Sequence, residues 1–261
     1  MITFRKNIVG LMVLCCISAF MSCSNDDENI LTNSNAGIGN GGFGVEVKPK
    51  KIVRIEEENE LYNVAYNFEY DEQGRLVRIL QGNASEVYGT THITYTENNV
   101  SIIESIRGNV QDEYNLHIKN GKTVENITID PEYYNYSKDE YLSEIRCPTE
   151  RYTQKFILKD GALTQIYIPQ DEETEVYEPD FTVPNNTNLD LFGFESLFGQ
   201  KKPAIFLCAA GKRFKYLPSK MINNTGILEF NYTLNSEGYI TCIESIPNWS
   251  YKSTYTIFYE I

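Results

Sequence analysis

The stretch Phe68–Ile79, FEYDEQGRLVRI, constrains what this chain can fold into more than any other. Apolar and polar residues alternate at period 2 before Asp71–Gly74, and the strand-forming Leu76, Val77 and Ile79 follow it, which reads as two strands joined by a tight turn. Gly74 supplies the positive φ that such a turn needs. A lone hairpin cannot bury its apolar face. Near-copies recur along the chain, so each unit must lean on the next.

The copies follow in order. Thr94–Thr96 turns at Glu97–Asn99 into Val100–Ile103, and Tyr114–Ile118 turns at Lys119–Gly121 into Val124–Ile129. Tyr133–Tyr136 turns at Ser137–Glu140 into Tyr141–Ile145, and Arg151–Leu158 turns at Lys159–Gly161 into Ala162–Ile168. Glu229–Thr233 turns at Leu234–Gly238 into Tyr239–Ile246, and Ser253–Ile261 alternates as a last strand. Ile52–Ile55 and Leu61–Phe68 read as strands ahead of them. Ser137–Glu140 is the exception among the turns, having neither Gly nor Asn.

The return strands share a second signature. Leu76/Ile79, Val100/Ile103, Val124/Ile127, Leu142/Ile145, Leu163/Ile166 and Ile240/Ile243 are each three residues apart. In a regular strand such pairs point to opposite faces. Either a β-bulge brings both onto one face, bending the hairpin, or the sheet is covered on both sides. The 19 Tyr and 13 Phe support strands over helices, since aromatic rings pack well across a sheet. The expected fold is all-β, an antiparallel meander of repeated hairpins forming a curved, barrel-like sheet.

Residues 169–226 interrupt the pattern. Pro179, Pro184 and Asn185–Asn188 read as incompatible with regular strand. Leu189–Gly199 reads as a short helix capped by Asn188 or Asp190, and Ala204–Ala210 as a buried apolar run, helix or strand. Together they form a short helical or apolar insert near 189–211.

The N-terminus is an address. Arg5 and Lys6 precede Ile8–Ile17, an apolar run too short to span a bilayer. Phe20-Met21-Ser22-Cys23 then resembles a bacterial lipobox, which implies lipid attachment at Cys23 and cleavage before it. The alternative is an ordinary secretory signal. The division is 1–22 signal peptide, 23–47 tether and 48–261 a single β-domain. Losing Arg5 and Lys6 takes the charge from -13 to -13 - 2 = -15, and such acidity argues against nucleic acid as a partner. Ser24–Glu28 resembles the acidic tract that sends Bacteroides-type lipoproteins to the outer face of the outer membrane. The tether ends in Gly39–Gly44, which matches GxGxxG but lacks the strand before and helix after that a dinucleotide site requires. Of the mature cysteines, Cys147, Cys208 and Cys242 are read as buried free thiols.

No catalytic set, metal set or cofactor motif emerges. His92 and His117 each stand alone on a strand, without ligands at metal spacing. Glu56–Glu58 and Asp171–Glu173 are solvated acidic runs. Strand tyrosines serve cross-strand packing first, yet Tyr133, Tyr134 and above all the loop residue Trp249 are the candidate ligand contacts, because aromatic faces stack on sugars.

Three features together resemble an uncharacterised family of Bacteroides-type lipoproteins with a porin-like fold. They are the lipobox, the tyrosine-aspartate (YD-type) unit FEYDEQGRL, and the Leu189–Pro218 insert before LEFNYTLNSEGYITCI. The resemblance implies a barrel-like meander and no assigned activity. The reading is therefore a lipid-anchored outer-membrane lipoprotein at the cell surface, non-enzymatic, binding a glycan, an apolar ligand or a protein. The alternatives are a glycan hydrolase using distant carboxylates, or a structural or adhesin component.

Overall fold

A computed structural model describes residues 50–128, 130–149 and 151–261. The signal, Cys23 and the tether to Val47 lie outside the described residues, as does Ile129. The first strands are β1 (Ile52–Glu58), β2 (Asn63–Tyr70), β3 (Leu76–Gly82) and β4 (Val87–Tyr95). Next come β5 (Asn99–Ile106), β6 (Asn109–Lys119), β7 (Lys122–Asn126) and β8 (Glu132–Tyr136). Then follow β9 (Leu142–Cys147), β10 (Tyr152–Lys159), β11 (Ala162–Ile168) and β12 (Glu173–Pro184). The last are β13 (Tyr216–Asn223), β14 (Gly226–Leu234), β15 (Ile240–Pro247) and β16 (Ser253–Tyr259). Each pairs antiparallel with its neighbours in sequence, and β16 pairs with β1, closing the barrel. The expected all-β meander is the fold, and closure removes every open sheet edge.

The three-residue spacing has its explanation in bulges. Val77 is the extra residue between Leu76 and Arg78, so Leu76 and Ile79 both face the interior, each fully buried. Leu142/Ile145, Leu163/Ile166 and Ile240/Ile243 repeat this geometry. Two pairs differ. In β7 the extra residue is Val124 itself, so Thr123 and Asn126 take the inward places and Ile127 is exposed. In β5 the pairing with β4 is regular through Val100–Ile103, which leaves Ile103 on the outer face.

Tyrosines complete the bulges. A bulge carbonyl misses its ladder partner, and the Tyr hydroxyl of the adjoining strand donates to it instead. Tyr95 donates to Leu76 O at 3.0 Å, Tyr259 to Ile240 O at 2.7 Å and Tyr70 to Ile52 O at 2.5 Å. Tyr136 and Tyr232 do the same for Thr123 O and Pro218 O. This accounts for Tyr recurring at strand ends one hairpin apart. Tyr95→Phe leaves the Leu76 carbonyl unpaired, and urea unfolding is expected to show a loss of about 1–3 kcal/mol.

The turn without Gly is the same turn. Asp71–Gly74, Asn235–Gly238 and Ser137–Glu140 share one hydrogen-bond pattern, and Glu140 takes φ 68° where the others place Gly.

Residues 169–226 depart from the sequence reading. The prolines do not end strand structure, because β12 carries Pro179 and Pro184 at register shifts where a ladder N–H is not needed. β12 and β13 therefore belong to the wall, and the insert proper is 185–215. It dips from one barrel end toward the other and returns. Asp190 caps a 3-10 turn at Leu191–Gly193 by accepting from Phe192 N, and α1 (Glu195–Phe198) and α2 (Pro203–Phe206) follow. Phe192, Phe194, Phe198 and Phe206 are buried against wall rings such as Tyr66, Phe68, Tyr177 and Phe230. A barrel of this strand number would otherwise enclose an aqueous channel. Here the insert is the core.

Candidate functional site

The barrel has two unlike ends. β1 begins and β16 finishes at the end where the chain arrives from the tether, together with the turns at Asp71–Gly74 and Asn235–Gly238. This is the tether end. The loops β1–β2, β11–β12, β13–β14 and β15–β16 lie at the opposite, far end.

The insert docks near the far end through polar side chains. Four glutamates, on β1, β5, β8 and β12, point inward from separate parts of the wall. Tyr66 places its hydroxyl 3.2 Å from Glu57 and 3.1 Å from Ser196 Oγ. Tyr255 donates to Ser196 O at 2.5 Å, which spends its only proton, so its 3.2 Å contact with Glu57 is satisfied when Glu57 is protonated. Burial raises the Glu57 pKa above the usual carboxyl range, against the opposing hydrogen bonds from Tyr62 and Tyr66. Gln200 donates to Glu175 at 2.8 Å, Tyr177 donates to the same carboxylate at 2.6 Å, and burial again raises it. Lys202 meets Glu132 at 2.9 Å, and although burial works to raise this carboxyl, the lysine outweighs it and the pKa is lowered.

Glu104 is the extreme member. It is 1% exposed, and neither of its oxygens makes a hydrogen bond among the described residues, although Lys201 Nζ approaches to 3.1 Å. Burial pushes its carboxyl up to about 8. For Lys201, burial pulls the other way, but Glu104 and a 2.6 Å bond to Asp112 hold the ammonium above its ordinary range. The lysine stays protonated because Asp112 supplies a second carboxylate.

Above this docking layer a cleft of about 400 Å3 opens at the far end. Glu57, Glu175 and Glu195 form its acidic lining, with Tyr62, Ser245 and Trp249 at its wall and rim. Burial raises Glu195, and its Oε2 is buried without a hydrogen bond among the described residues. Trp249 is 46% exposed but fixed in place. Asn248 N donates to Ile227 O at 2.9 Å and Asn248 Oδ1 accepts from Ile227 N at 3.0 Å, clamping the loop. The Trp249 ring lies over Gly226, where an added Cβ would stand 2.6 Å from Cε3. A second recess of similar volume runs along β6, lined by Asp112, Tyr114, Thr128 and Asp130.

Of the residues expected to contact ligand, only Trp249 reaches the cleft. Tyr134 is buried and donates to Glu132 at 2.8 Å, while Tyr133 faces outward under the Arg146 guanidinium. Period 2 alone puts these neighbours on opposite faces. The glutamates were missed because each is distant in sequence from the others, although Val100, Ile102 and Glu104 share one strand face. His92 and His117 sit on the outer wall, and no metal-binding group occurs among the described residues. Cys147, Cys208 and Cys242 are all free as thiols; Cys147 is buried as expected, whereas Cys208 and Cys242 are half-buried.

The interior beside the insert, lined by Leu142, Ile205 and Phe214, has about 10 Å3 of free space, room for one water. The outer wall is charged, with Glu69–Arg78 and Glu178–Lys220 pairs across strands and Glu244 paired with Lys252 of the β15–β16 loop. A membrane-spanning barrel needs an apolar band roughly 25 Å tall there. No helix among the described residues is long and apolar enough to cross a membrane.

No family model matches this chain, and no curated protein does. Solved structures do. A porin-like protein from Bacteroides uniformis matches with a TM-score of 0.58 at 17% identity, covering 82% of this chain and 100% of its own. A porin-like protein from Bacteroides vulgatus matches with a TM-score of 0.55 at 16% identity, covering 81% and 99%. At these identities the likeness is one of fold, and the chain is a porin-like β-barrel closed around its own insert.

Proposed function

We propose that this chain is a lipid-anchored outer-membrane lipoprotein, acylated at Cys23 and displayed at the cell surface, whose far end binds a glycan without chemically changing it. The observation that carries the reading is the cleft itself. It lies at the opposite end from the tether, and it combines one fixed, half-exposed indole with carboxyl and hydroxyl groups at its floor and wall. An indole face stacks on the apolar face of a sugar ring, and carboxyl oxygens accept from sugar hydroxyls while phenols donate to them. A fixed ring loses little entropy on binding. The polar lining and the filled interior disfavour an apolar ligand.

Calorimetry against glycan fractions tests this. The protein is expected to show saturable heat with at least one fraction, and Trp249→Ala to weaken binding about tenfold or more while the melting temperature holds. A panel with no heat in any fraction would remove the reading.

One observation favours a hydrolase as the second reading. Glu57, Glu175 and Glu195, far apart in sequence, line one cleft with their carboxyls held above the ordinary range. Glycoside hydrolysis needs such a raised acid beside a second carboxylate. Release of new reducing ends, abolished by Glu195→Gln, separates it from simple binding.

A further inference from the structure

We infer that one sector of the tether end is a membrane-contact face that rests on anionic lipid phosphates. The sector is built by the turns β6–β7, β8–β9 and β10–β11 and by the returning limb of the insert. These segments touch. Lys212 N donates to Glu140 O at 2.9 Å, Lys215 N donates to Gly161 O at 2.8 Å, and Tyr141 bridges to Gly211. Lys119, Lys138, Lys159, Lys212 and Lys215 are all exposed there, with Lys122 and Arg213 half-buried among them. Among the described residues of these turns and this limb the acidic groups are Asp139, Glu140 and Asp160, and Glu140 is already held by Lys122. None of the five exposed lysines has an ion pair among the described residues.

This excess stands out in a chain of formal charge -13. The rest of the tether-end rim is largely self-paired, through Lys50–Glu237, Lys51–Glu260 and Arg75–Asp71, with Glu72 and Glu97 on that other side. The far end is acidic, with Glu58, Glu60, Asp130, Asp171 and Glu172 exposed and Glu86 paired with Arg107. Strands of about eight residues, tilted by about 40° as barrel closure requires, make the wall roughly 20 Å tall, more than twice the ~8 Å Debye length at physiological salt. A surface touching the tether end therefore feels the lysines and is screened from the far-end carboxylates.

Position supports the same occupant. The tether enters at Lys50, on this end, so an anchor at Cys23 holds this face within reach of headgroups and turns the cleft away from them. The inference extends the anchor reading, yet the charge argument stands without the lipid, and the test omits acylation.

The mature polypeptide carrying Cys23→Ser, and so unacylated, is sedimented with vesicles of phosphatidylcholine alone or with phosphatidylglycerol added. It is expected to partition onto the anionic vesicles only and to leave them at high salt. Lys138→Glu/Lys159→Glu/Lys215→Glu is expected to weaken partitioning by at least about fivefold for each charge lost. Lys155→Glu, on the outer wall, is expected to change it little, and an unchanged thermal melt shows that the triple variant is folded. Absence of binding to both vesicles, equal binding to both, or an unaffected triple variant would overturn the inference. Failure to find an acyl chain on native Cys23 would overturn only the anchor.

Discussion

Replacing Phe206 by Ala is expected to destabilise the barrel by about 3–5 kcal/mol, the largest loss among single substitutions considered for this molecule. Phe206 is fully buried at the end of α2, with its ring stacked 5.5 Å from Phe194 and tilted 6.5 Å from Phe68 on the wall. Truncation leaves a cavity that cannot collapse, because the surrounding wall is held in a closed hydrogen-bonded ring. Close packing tightens this further. Gly193 sits where a Cβ would stand 2.3 Å from Phe206 N, so the backbone of the insert has no slack on that side. The prediction matters for function because the insert is what makes the barrel a solid support. Chemical denaturation gives the number, and a loss below about 1 kcal/mol would mean that the insert is a loosely held plug and not the core.

The second large effect is a dependence on pH. Burial pushes the Glu104 carboxyl from its ordinary 4.5 up to about 8. Between those values the folded protein keeps a proton that the unfolded chain has released. Glu104 therefore contributes stability in full below about 4.5, and that contribution falls away as pH rises toward 8. One proton of difference gives a slope of about 1.4 kcal/mol per pH unit. Urea midpoints across this window are expected to fall with pH, and Glu104→Gln, which stays neutral throughout, to flatten the slope by about one proton. Glu57, Glu175 and Glu195 shift in the same direction and keep a residual slope in that variant. A wild-type slope of zero would mean that Lys201 holds Glu104 ionised.

The fold was legible because its signal is local and repeated. Each hairpin declares its turn within about a dozen residues, and the Leu76/Ile79 spacing offered a bulge as one of two readings, the one that β3 adopts. What stayed hidden was non-local. The sequence around Ser137–Glu140 carries no Gly, yet context forces Glu140 into the left-handed region. Pro179 and Pro184 argued for loop, but a strand tolerates proline at a register shift, and nothing within the local sequence marks where β13 will allow one. Trp249 was legible as a lone indole in a turn. The glutamates around it were not, because Glu57, Glu175 and Glu195 converge only once the barrel closes and the insert folds into it.

Under the proposed function the molecule has a direction, with the tether-end lysines toward the membrane and the far-end cleft toward the ligand. Trp249 is the single tryptophan of the chain, so its fluorescence reports on the cleft and on nothing else. Titration of the intact protein with glycan fractions is the most direct test of a binding cleft at the far end. A saturable shift of the emission to shorter wavelength, as a sugar ring displaces water from the indole, is the result predicted. Emission that stays unchanged at saturating concentrations of every fraction would contradict it.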